Sequence, residues 1–278
     1  MASFHARSNS LPSRQHPLTS QIEENLNRLR SSQSASTSSS LGQSLNGVQD
    51  LHEYVDMLLQ LPSTQQALAQ EEQRKCVEEL LDGSLVLLDV CNIAKDALFQ
   101  IKECTQELQS ILRRRRGVEG LASEVRKYLI SRKAMKKAIS KALKNLKHLE
   151  NKQSTSSGEV TSILREVEAV TCGVLESLLS FVSGPTSESK LSRFNLVSKL
   201  MNQKKVASEE DEENTNEIAN VEATLRSFVK SENNKHVENL QNELQSSESC
   251  IQDLEEGLEC LFRCLIKARV TVLNALNC

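Results

Sequence analysis

Tryptophan is absent from the 278 residues, and two tyrosines and six phenylalanines bring the aromatic share to only 3%. Without flat rings the chain lacks the platform on which single-stranded nucleic acid stacks. Glycine (9) and proline (4) are scarce as well, which argues against a fold built on tight turns and for long helices. The sequence holds no Gly-rich phosphate loop, no H-E-x-x-H, no G-x-S-x-G and no Glu-x-x-His pair of a di-iron bundle. A non-enzymatic protein without a cofactor is expected. The eight cysteines (76, 91, 104, 172, 250, 260, 264 and 278) form no C-x-x-C pair, and the five histidines are scattered. They therefore read as reduced, small apolar side chains rather than as zinc ligands or a disulfide framework. No stretch reaches the ~18–20 apolar residues of a membrane span, and the first 20 residues carry no apolar run of a secretory leader. The expected place is the cytoplasm, with the nucleus or a membrane surface as alternatives.

What remains is helical periodicity. The segment 1–40 reads as a disordered Ser-rich tail, with a short helix over 20–30 opened by a Ser20/Glu23 capping box. From Leu41, apolar residues at 45, 48, 51, 55 and 58 share one stripe until Pro62, after which Ser63 or Thr64 is the expected new cap. Leu87, Val90, Ala94, Ala97, Ile101, Cys104, Leu108 and Ile111 then step strictly by three and four, a heptad seam kept narrow by its two alanines. A second seam runs through Val118, Leu121, Val125, Tyr128, Met135, Ile139, Ala142, Leu146 and Leu149, broken only by Arg132. Two helices of about thirty residues, ~45 Å each, are expected to pack antiparallel across a turn at Gly117. Further helices are expected at 159–182, 190–205 and 218–277, the last with a weak point at "SENNKH" and largely buried over its end, 257–277, and an acidic linker at 205–217. The predicted fold is an all-α, elongated helical bundle over 41–278, in a basic part (41–150) and a C-terminal part (159–278).

Charge is placed unevenly although the net is only −3. Between Arg113 and Lys147 stand thirteen Lys or Arg against Glu119 and Glu124 alone. Arg113, Arg114, Arg115 and Arg116 point around a helix end, where the macrodipole favours cations, and so make no flat phosphate clamp. Lys133, Lys137, Lys141 and Lys144 all miss the seam and form an outward basic face. With the arginine row, this face over 113–147 suits a solvated surface or an acidic protein segment (the chain's own Glu209–Glu213 included), the alternative being a peripheral membrane or nucleic-acid binding surface. The acidic total, the missing rings and the missing zinc spacing argue against nucleic acid.

The tail carries one short motif, "RSNSLP", in which Arg7, Ser10 and Pro12 fit the phosphoserine pattern read by 14-3-3 proteins. Phosphate on Ser10 would supply the charge that an arginine cluster binds. The same tail opens a series of blocks: "FHARSNSLPSRQHPL", "LHEYVDMLLQLPSTQQAL", "ELLDGSLVLLDVCNIAKDAL", "LQSILRRRRGVEG", "EVRKYLISRKAMKKAISKAL" and "LEEGLECLFRCLIKARVTVLNAL". In content and order they resemble the plant-specific BYPASS-related family. The resemblance implies a helical plant protein without known enzymatic activity, tied to root and shoot development, and it supplies no catalytic or ligand residues.

Overall fold

A computed structural model describes residues 16–32, 37–114, 118–151, 158–184, 216–231 and 237–276. These residues form an all-α fold of eight helices, with no strand among them. The helices are α1 (Pro17–Ser32), α2 (Ser38–Leu59), α3 (Pro62–Leu68), α4 (Glu71–Arg113), α5 (Val118–Asn151), α6 (Glu159–Ser183), α7 (Glu217–Ser231) and α8 (Val237–Leu276). The Gly117 turn, the 190–205 helix and the Glu209–Glu213 run lie outside the described residues.

Three helix starts depart from the sequence expectation, each for a local reason. α1 opens at Pro17 rather than at the Ser20/Glu23 box, because proline has no N–H to leave unpaired in a first turn. The Leu18 N–H donates to His16 Nδ1 at 3.3 Å and the Thr19 N–H to the His16 carbonyl at 2.9 Å. Ile22, Leu26 and Leu29 are buried, so α1 joins the core instead of standing apart in a tail. α2 begins inside the Ser-rich stretch: the Ser40 N–H donates to Thr37 Oγ1 and the Thr37 N–H donates to Ser40 Oγ, both at 3.2 Å. α3 starts at Pro62 behind Leu61, which makes no side-chain cap, and Thr64 is buried rather than capping.

α4 is 43 residues long, ~64 Å, well beyond the thirty expected. Leu87, Val90, Ala94, Ala97, Ile101 and Leu108 are buried, with Cys104 and Ile111 half-buried. Cys91, Leu98 and Thr105 are buried too, so the covered stripe is wider than a two-helix seam requires. The reason is that α4 packs against α5, α6 and α8 together. Leu121, Val125, Tyr128, Met135, Ile139, Ala142 and Leu146 of α5 are buried in turn.

The centre of the molecule is α6, which touches α1, α2, α3, α4 and α5 and buries Val167, Val170, Leu175, Leu178, Leu179 and Val182. The end of α8 was expected to be largely buried. It packs on α2 and α4 but leaves Ile266 and Val270 in solvent, so its apolar surface is only partly covered.

Candidate functional site

The arginine row begins as a helix end. Arg113 is exposed in the last turn of α4 and its Nη2 donates to Gln109 Oε1 at 3.3 Å. Arg114 is the C-cap, with its N–H on the Ser110 carbonyl at 3.2 Å. Arg115 and Arg116 lie outside the described residues, as do Arg7, Ser10 and Pro12 of the tail motif.

The lysine face is a continuous stripe. Lys133, Lys137, Lys141 and Lys144 are all exposed on α5, spread over ~16 Å of helix. Their basic neighbours are neutralised within the fold: Lys127 by Glu124 (2.6 Å), Lys136 by Glu222 (3.0 Å) and Lys147 by Glu176 (3.7 Å). The four themselves form no ion pair among the described residues. Four like charges thus lie along one helix without an acidic partner among the described residues.

Arg132, the residue that breaks the α5 seam, is only 1% exposed. Its Nε donates to Glu222 Oε2 (3.2 Å) and its Nη2 to the Ser183 carbonyl (3.2 Å), tying α5 to α7 and to the end of α6. Lys136 and Arg226 reach the other oxygen of Glu222, at 3.0 and 2.6 Å. Burial favours the protonated Glu222, but the Arg226 and Lys136 hydrogen bonds and the Arg132 charge outweigh it and hold the carboxyl below its ordinary value. Arg132 Nη1 and the Tyr128 hydroxyl find no hydrogen-bond partner among the described residues. Spacing marked Arg132 as an anomaly; Glu222, 90 residues on, carried no sequence signal.

A second polar concentration lines a cleft of about 230 Å³ between α4, α5 and α6. Glu79, Asp82, Asn145, His148, Arg165 and Glu168 surround an apolar floor of Gly83, Val86 and Leu149. Arg165 is engaged, donating to Glu79 Oε2 (2.6 Å) and Cys76 Sγ (3.2 Å). Glu168 is 7% exposed, and burial pushes its carboxyl up to about 7, against the pull of Arg165 and with the push of Glu79. It sits where α4 has no side chain: a Cβ on Gly83 would meet Glu168 Oε1 at 1.8 Å. One side of α6 thus presents an acid that changes charge near neutrality. On another, His52 is fully enclosed, with Nε2 3.1 Å from Thr171 Oγ1, and burial lowers it to about 4.

The seven described cysteines form no disulfide, and burial pushes the thiols of Cys91, Cys172 and Cys250 up to about 12, far from a reactive thiolate. Among the described residues no group of three or more His, Cys, Asp or Glu could hold a metal ion. Nor is any described helix long and apolar enough to cross a membrane.

The model of one protein family, described as Protein BPS1, matches residues 44–275, which is most of the chain. It is the family that the sequence blocks resemble. No curated protein and no solved structure matches.

Proposed function

We propose, from the premise that the chain belongs to the BPS1 family, that it is a non-enzymatic plant regulatory or scaffold protein that works by docking. Its place in root and shoot development is the reading that the family resemblance supports. The docking surface is the lysine face of α5, and its partner is an acidic protein segment. One observation carries this: Lys133, Lys137, Lys141 and Lys144 stay exposed without an ion pair among the described residues, while Lys127, Lys136 and Lys147 beside them are neutralised internally. The Arg7–Ser10–Pro12 pattern supports control from the tail, where phosphate on Ser10 would recruit a 14-3-3 protein.

The test is a titration of the full chain with a fluorescent Glu-rich peptide and, separately, with vesicles of neutral or anionic lipid, at rising salt. Peptide binding is expected to weaken as the screening length shrinks from ~10 Å at 0.1 M to ~3 Å at 1 M. Reversal of all four lysines to Glu should abolish it with the thermal melt nearly unmoved, since exposed charges contribute little to stability. Equal peptide binding by wild type and reversal variant refutes the reading. Binding of anionic vesicles alone would move the protein to a membrane surface.

A further inference from the structure

Gly83 and Glu168 each run against the local preference of their surroundings, and they do so at one point of contact. Glycine inside α4 weakens the helix. Glu168 of α6 is 7% exposed, yet it takes part in no hydrogen bond or ion pair among the described residues. An enclosed carboxyl without a partner is unfavourable once it carries charge. The two departures are one arrangement, because a Cβ on Gly83 would fall on Glu168 Oε1. Alanine on α4 with an apolar side chain on α6 would close the same contact and favour stability twice. An arrangement that stability alone would replace, set in the wall of a cleft, marks a site that holds something else.

The groups around the carboxyl select the ligand. On the cleft side stand Glu79 and Asp82 of α4, His148 of α5 and Arg165 of α6 itself. On the other side a smaller apolar cavity shares Glu168 with His52 of α2 and Arg269 of α8. Both arginines are already engaged, Arg165 by Glu79 (2.6 Å) and Arg269 by Ser84 Oγ (2.8 Å) and the Leu81 carbonyl. His52, which burial lowers to about 4, is uncharged near neutrality, and the Cys172 thiol one turn beyond Glu168 is raised to about 12. Glu168 and the exposed Asp82 are thus left without a cation among the described residues, and no group of side chains there could hold a metal ion. What fits is an organic cation. Gly83, Val86 and Leu149 give it an apolar floor, and a volume of about 230 Å³, under the ~300–1,000 Å³ of larger ligand sites, keeps it small.

We propose that this cleft binds a small primary amine, whose ammonium group pairs with Glu168 in the field of Asp82 and whose alkyl chain lies on Gly83, Val86 and Leu149. The carboxyl must give up its proton to make that pair, so the amine and the proton compete for it. The bound cation also supplies the partner that the charged form of Glu168 lacks within the fold. The site is separate from the lysine face of α5 and does not depend on it.

Isothermal titration calorimetry of the full chain with pentylamine tests this, at ~0.15 M salt so that exposed carboxylates are screened beyond ~8 Å. Pentanol and pentanoate serve as neutral and anionic counterparts of the same chain length. Pentylamine should bind at a single site near pH 8 and roughly 10-fold more weakly near pH 6, because Glu168 takes up its proton at about 7 while the ammonium keeps its charge. Pentanol and pentanoate should each bind at least ~10-fold more weakly than the amine near pH 8. Glu168→Gln should weaken pentylamine at least ~10-fold near pH 8 and flatten the pH dependence; any change of charge on His148 is common to both proteins and cancels between them. Gly83→Ala, checked for helicity by circular dichroism, keeps the acid but displaces its carboxyl end, and should weaken the amine as well. A wild-type chain that binds no pentylamine up to ~10 mM overturns the proposal. So does pentanol that binds as tightly as the amine, or a Glu168→Gln variant that binds it like wild type.

Discussion

Replacing Glu168 by Gln isolates the one acid, among the described residues, whose proton leaves near neutrality. Glutamine keeps the volume and the uncharged state of the protonated carboxyl, so the substitution removes the titration and little else. In the unfolded chain the group ionises at its ordinary 4.5; in the fold, burial delays ionisation to about 7. The folded state thus holds the proton more tightly. The stability this supplies is fully present below pH 4.5 and is lost as pH rises through 7. Each pH unit of displacement is worth about 1.4 kcal/mol, which puts the loss above pH 7 at ~2–3 kcal/mol after allowance for the water that reaches the cleft. Urea unfolding followed by circular dichroism at several pH values reads it. Glu168→Gln should match wild type near pH 4.5 and exceed it by ~2–3 kcal/mol near pH 8. His52, lowered to about 4, acts in the opposite sense: its stability is present above its ordinary 6.5 and is lost as pH falls toward 4. It is the same in both proteins and cancels in the difference. A gap between the two proteins that does not change with pH would show that Glu168 is not an enclosed titrating group and would refute the reasoning.

Two further outcomes test the packing. Ala97→Leu inserts a larger side chain where α4 is 4% exposed, so the midpoint should fall by the equivalent of ~1–3 kcal/mol; an unchanged melt would take the seam out of the core. Arg132→Met leaves Glu222 with two cations but removes the hydrogen bond to the Ser183 carbonyl, and should cost about 1–3 kcal/mol in chemical denaturation. Adding Glu222→Gln to it should then cost less than Glu222→Gln does alone, and strict additivity would mean that the two side chains are not coupled.

Periodicity carried a large part of this structure. Ala94, Ala97 and Ile101 are covered because a three-four step names the inward side of a helix, and Lys133 through Lys144 are exposed for the complementary reason. The same pattern does not say how many neighbours a helix has. That is why α4 shows a broader covered stripe than a paired seam, and why the central place of α6 was not visible. Apolar content made α8 look enclosed, but composition does not tell which side chains a neighbour reaches, and Ile266 and Val270 are left out. The start of α2 was hidden by its own chemistry: a capping box written in Thr37 and Ser40 is indistinguishable by composition from the serine linker around it. Of the Arg132–Glu222 pair, only the arginine was visible as an irregularity. The cleft was not legible at all, since it brings residues of three helices together around an absent side chain.

That absence sets how the molecule answers acidity. At Gly83 a single methyl group would stand inside the space that Glu168 now fills, so the carboxyl end of that side chain would have to move. An alanine there would suit a helix better on intrinsic grounds, by ~1 kcal/mol, yet it would drive the carboxylate outward into water, where an acid ionises at its usual value. The chain would gain local helix preference and lose its sensitivity near neutral pH in one step. One missing carbon on α4 holds the proton on α6.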